Sequence, residues 1–111
     1  MGVTKVDLFT AEQNELAQLA KAMAHPARIA ILQYLLARNS CVNGTLVQEL
    51  GLAQATISQH LRELKDIGLI KGTIEGVSVN YCIHAENWGK VKGLFNGLFD
   101  QFGAPGGDVC C

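Results

Sequence analysis

No apolar run in this chain approaches the roughly 18 residues needed to span a bilayer, and Lys5, Asp7, Glu12 and Glu15 interrupt any early one. A membrane span and a secretory leader are therefore not expected, which points to the cytoplasm. Excess positive charge is also missing. Nine Lys and Arg against ten Asp and Glu give a formal net charge of −1, so overall electrostatics do not single out nucleic acid as a partner. There is no Cys-x-x-Cys redox motif and no glycine-rich phosphate loop. Ser58 and His60 lie two apart on a predicted helix and diverge by about 200°. With no catalytic constellation, an enzyme is not expected.

What is present suits one modest domain: 111 residues, 49% of them hydrophobic, with a mean hydropathy of +0.18. So apolar a small chain is expected to bury surface against a second copy. Four cysteines in a reducing compartment argue for metal binding or redox sensing rather than structural bridges.

The chain is organised around residues 42–83. The spacing predicts a short helix ending at Leu50-Gly51, capped by Asn43 or Thr45, and then a longer helix over Ala53 to Ile67. In the longer helix Ile57, Leu61 and Leu64 fall at i, i+4 and i+7 and make one apolar stripe. The opposite arc carries Ala55, Gln59 and Arg62, flanked by Gln54, Thr56 and Ser58. Their amides, hydroxyls and guanidinium suit base edges and phosphates in a major groove. Gly68 stands where a left-handed cap is expected. A period-2 run rich in Ile, Val, Thr and Tyr follows, broken at Glu75-Gly76, and reads as a hairpin. Arg62, Lys65 and Lys71 leave a small local positive excess. The fold class is mainly α with a small β-hairpin: a winged helix-turn-helix of about five helices, dimeric, with the longer helix as reader.

Around this core, Leu16, Leu19, Ala20 and Met23 predict an amphipathic helix over Ala11 to Ala24, serving both core and dimer surface. His25-Pro26 ends it and opens a second helix, Pro26 to Ala37, apolar nearly all round and expected in the core. Arg28 projects from its first turn, toward a phosphate or toward solvent. A last helix, Ala85 to Phe102, carries a bulky stripe (Trp88, Val91, Phe95, Leu98, Phe99 and Phe102) and a smooth one of Gly89, Gly93 and Gly97. Three glycines at about 1 kcal/mol each need an offset, and close approach of a partner's helix supplies one. Residues 1–102 form the domain. Residues 103–111 form a glycine-rich tail ending in Cys110-Cys111.

Thr56-Ile57-Ser58-Gln59-His60-Leu61, then Leu64, Gly68-Leu69-Ile70, Gly76 and Tyr81, resemble the core of the ArsR/SmtB family. Met23-Ala24-His25-Pro26-Ala27-Arg28-Ile29, with Ile31 and Leu32, resembles that family's helix-opening pattern, so the likeness runs from about Leu16 to Phe99. The resemblance implies a small dimeric winged-helix repressor, pairing through first and last helices, that needs no cofactor to bind an operator and leaves it when an inducer binds. It implies DNA contacts at Gln54, Thr56, Ser58, Gln59, Arg62 and Lys71. It also places a histidine at His60, where a base contact stands beside a partly buried, internally bonded ring.

Inducer sites of the resembled family lie near the start of the helix-turn-helix, on the last helix, or in the tails. The zinc type on the last helix needs histidine, and residues 85–101 contain none. Asn43 replaces one thiolate of the family's Cys-x-Cys at Cys41. Cys110, Cys111 and one of Cys82 or Cys41 remain as soft ligands, suited to arsenite or antimonite. Residues 102–110 span about 15–17 Å as a flexible chain, within reach of either. Cys82 also reads as a small core hydrophobe. The alternatives are thiol or polysulfide redox, with Cys41 or Cys82 bridged to a tail cysteine, and a winged helix used as a protein-interaction module.

Overall fold

The computed structural model describes residues 8–43, 51–75 and 78–103. Its elements run α1 (Ala11–Met23), α2 (Pro26–Arg38), β1 (Val42–Asn43), α3 (Gln54–Asp66), β2 (Ile70–Glu75), β3 (Ser78–Ile83) and α4 (Ala85–Phe99). Four helices thus stand among the described residues. The fifth, expected to end at Leu50, falls on residues 44–50 and lies outside them, as does the tail from residue 104.

Local chemistry explains the boundaries. Thr10 accepts from the Gln13 backbone N–H while the Gln13 side chain accepts from the Thr10 N–H, a complete capping box for α1. His25 caps α2 by accepting from the Ala27 N–H at 3.1 Å, with Pro26 in the first turn. Asn39 ends α2 in the left-handed region at φ 53°. After α3 the chain reverses at Gly68, φ +89°. The Gly68 and Leu69 N–H groups return to the carbonyls of Lys65 and Leu64, satisfying orphan acceptors of the last turn.

The predicted hairpin is present, with Ile70 opposite Ile83 and Glu75 opposite Ser78. The sheet is larger than the sequence indicated. Val42 and Asn43 pair antiparallel with Tyr81 and Asn80, so β3 is the central strand in the order β1-β3-β2.

The core draws on every layer: Leu19 from α1, Ile31, Leu32 and Leu35 from α2, Ile57, Leu61 and Leu64 from α3, Leu69, Ile70 and Tyr81 from the wing, and Val91 from α4. Leu61 and Leu64 are fully buried, so the apolar stripe of the reader is its anchor, and burying each such side chain contributes about 1.5–3 kcal/mol. α2 is less enclosed than its composition suggested, because Ile29 and Leu36 are 38% and 44% exposed. α4 stops at Phe99, three residues before the expected end. Trp88, Val91 and Phe95 turn inward, whereas Leu98, Phe99 and Phe102 stand exposed. A Cβ built on Gly89, Gly93 or Gly97 meets nothing within 4 Å, so the smooth stripe faces open space within the chain.

Candidate nucleic-acid interface and thiol pair

The stripe that anchors α3 turns its other arc outward. Ala55, Thr56, Gln59 and Arg62 are exposed along it, and the Gln59 amide donates to a Glu63 carboxylate oxygen at 3.0 Å. Gln54 begins the helix, and its side chain lies outside the description. Lys71 is exposed on β2.

Ser58, expected at the DNA, is instead buried at 6% exposed, and His60 at 7% exposed takes the buried, internally bonded alternative rather than the base contact. The reason is angular. About 100° per residue sets them on opposite flanks of Gln59, each turned from its arc toward an edge of the apolar stripe. His60 faces the α1–α2 junction, where Arg28 donates from Nε to its Nδ1 at 3.0 Å and the His25 ring lies 4.4 Å away between centroids. Arg28 also donates from Nη1 to the Ala22 carbonyl at 2.9 Å. Arg28 therefore directs two of its donors into the fold. Burial, then the neighbouring His25 and Arg28, hold the His60 pKa below its ordinary value, with Glu63 pulling the other way. An imidazole accepting at Nδ1 is neutral, and burial, His25 and Arg28 all favour that form.

The second cluster was only half legible. Extending the β1–β3 register by one residue sets Cys41 opposite Cys82; their Cα atoms are 4.3 Å apart and the sulfurs are bonded to each other. The expectation that either would bridge to a tail cysteine is thus replaced: the sheet makes them each other's partner, and Cys110 and Cys111 lie outside the described residues. Cys41 is exposed and Cys82 half-buried, so Cys82 is neither plain core nor free. On the far side of the central strand Lys71 stands opposite Cys82. Directly opposed residues share a sheet face, and all three line one cleft of about 410 Å³ with Leu35, Leu36, Ile83 and Trp88. Among the described residues no group of three or more His, Cys, Asp or Glu could hold a metal ion, and no helix is long and apolar enough to cross a membrane.

Comparison with known proteins places this geometry. Residues 25–71 match the model of the bacterial regulatory protein arsR family. PagR of Bacillus anthracis, named a transcriptional repressor, is 32% identical over 90 residues, covering 81% of this chain and 85% of PagR. The chain belongs to the ArsR family. Family membership puts it among regulators rather than enzymes. The transcriptional regulator CmtR of Mycobacterium tuberculosis is 40% identical over 78 residues, 68% of this chain, and the match spans 65% of CmtR's own length. CmtR has been solved as a cadmium metal sensor, with a TM-score of 0.52 and 31% identity over 86% of this chain and 96% of that one. HlyU of Vibrio cholerae is similar at a TM-score of 0.61 and 30% identity, covering 82% of this chain and 98% of HlyU. A structure of reduced HlyU is similar at a TM-score of 0.59.

Proposed function

We propose that this ArsR-family chain is a dimeric, cytoplasmic, operator-binding repressor whose signal is received by the Cys41 and Cys82 thiols. The single observation that carries the reading is the cross-strand pairing of those two cysteines. In a reducing compartment such a pair is a switch rather than a staple. It joins the segment leading into the helix-turn-helix to the central strand of the wing, so making or breaking the bond changes how reader and wing are held. Thr56, Gln59, Arg62 and Lys71 are the exposed candidates for DNA contact, and Gln54 joins them by position. The exposed Leu98, Phe99 and Phe102, with Leu8 and Phe9, and the open glycine stripe of α4 support pairing of two copies through first and last helices.

Thiol counting tests this reading. The reduced protein should bind its upstream DNA, and a mild disulfide-forming oxidant should consume the Cys41 and Cys82 thiols and release the DNA together. Release with both thiols still free refutes it.

Arsenite or antimonite is the second reading. It is favoured by the likeness to CmtR, a cadmium sensor, and by the two adjacent sulfurs that reduction would offer a soft ion. Cys110 or Cys111 would have to supply a third. Release by arsenite at about one ion per subunit, lost on Cys110→Ser/Cys111→Ser, would favour it over redox.

A further inference from the structure

We propose that organic hydroperoxides are the oxidants to which the Cys41–Cys82 pair responds, with Lys71 holding Cys82 as the attacking thiolate. The inference rests on the reading that this pair receives the signal, and adds the class of signal and the residue that tunes it.

The cleft beside the pair holds about 410 Å³, far more than hydrogen peroxide needs; Asn39 and Ser40 add polar groups to its lining, and its apolar walls are Leu35, Leu36, Ile83 and Trp88. Walls of that kind retain an alkyl or aryl group and gain nothing from a small polar oxidant. Among the described residues that line it, Lys71 is the one with a charged side chain. The sheet register puts Lys71 opposite Cys82 on the flank away from Cys41, so Cys82 stands between a lysine and its resolving partner. A neighbouring ammonium favours the thiolate, which is the nucleophile. Two nearby groups that carry or take up charge are engaged elsewhere. The Arg38 guanidinium lies over the Tyr34 ring at 4.6 Å, and His84 Nδ1 accepts from the Asn87 N–H at 3.2 Å. Cys41, exposed at the rim, is placed to resolve.

The step balances. The Cys82 thiol gives its proton to water, and its sulfur attacks the terminal oxygen of R–O–OH. The O–O bond breaks, the alkoxide leaves and is protonated to the alcohol, and Cys82 becomes a sulfenic acid. Cys41 sulfur then attacks Cys82 sulfur, forming the S–S bond and expelling the hydroxyl, which leaves as water with the Cys41 proton. Two thiols and one hydroperoxide give one disulfide, one alcohol and one water.

The test uses the full-length reduced protein carrying Cys110→Ser/Cys111→Ser and follows the Cys41–Cys82 bond by peptide mass spectrometry. Cumene hydroperoxide should form it at least about tenfold faster than hydrogen peroxide at equal concentration, the scale of a few apolar contacts. Ala85→Phe, which narrows the cleft at an exposed position, should erase the preference. Lys71→Met should slow both oxidants about tenfold at pH 7, with the gap closing above about pH 9 where any thiol ionises, and Lys71→Arg should keep the rate. Equal rates for the two oxidants overturn the hydroperoxide assignment and leave the thiol switch standing. An unchanged rate for Lys71→Met at pH 7 overturns the role of the lysine. If even diamide fails to join Cys41 to Cys82, the thiol switch itself falls and this inference with it.

Discussion

Arg28, in the first turn of α2, donates a 3.0 Å hydrogen bond to His60, buried on the reader helix 32 residues later. This bond and the one to Ala22 link α1, α2 and α3 through a single guanidinium. Arg28→Ala should therefore cost about 1.5–3 kcal/mol, the range for bonds made by a charged group, read as a lowered urea midpoint. Operator binding should weaken with it because the reader loses its brace. An unchanged midpoint would show that the brace carries no load.

The same pair predicts a pH dependence with a definite sign. His60 has a folded-state pKa below its ordinary value of 6.5, so between the two values the unfolded chain binds more protons than the native one. Its contribution to stability is full above pH 6.5 and is lost as pH falls through the folded pKa. The fall in unfolding free energy between pH 7.5 and pH 5.5 should be smaller in His60→Gln, which keeps an acceptor for Arg28 and cannot titrate. Parallel curves for the two proteins would assign the pH response to other groups.

Arg62→Ala and Gln59→Ala should weaken operator binding while leaving thermal stability within about 0.5 kcal/mol, because both side chains are exposed. If Arg62 meets a phosphate, its loss lowers the slope of log affinity against log salt by about one. Loss of fold in either variant would move that residue into the core.

Gly68 holds φ +89°, and a Cβ there would meet Asn87 Nδ2 at 2.5 Å. That same amide donates to the Gly68 carbonyl at 2.6 Å, tying the end of the reader to the start of α4. Gly68→Ala should cost about 1–3 kcal/mol from the backbone conformation alone, and calorimetry at pH 7.5 reads it as a lowered Tm.

The glycine stripe of α4 is open within one chain, so Gly93→Leu should leave the monomer fold intact and disrupt the dimer. Sedimentation at a fixed concentration separates the outcomes: a shift toward monomer with unchanged circular dichroism supports pairing at this face, and an intact dimer removes it.

The elements that sequence alone made legible are those whose signals are local. Ile57, Leu61 and Leu64 announce the reader because one helical period repeats through them. The alternation on either side of Glu75-Gly76 announces the hairpin. What escaped is what joins distant segments. A two-residue strand, Val42–Asn43, is too short to show a period, so the sheet read as two strands. His60 carries the same letters whether it meets a base or Arg28, and only packing of α2 against α3 decides. Cys41 and Cys82 lie 41 residues apart, and no spacing rule announces a pair made by a third strand.

The most direct test of the account is fluorescence anisotropy of the protein on its own upstream DNA, reduced and after oxidation that maps to Cys41–Cys82. The account predicts tight binding when reduced, release when the bond forms, and no release for Cys41→Ser or Cys82→Ser. Oxidised protein that carries the mapped bond and holds the DNA as tightly as reduced protein would contradict it.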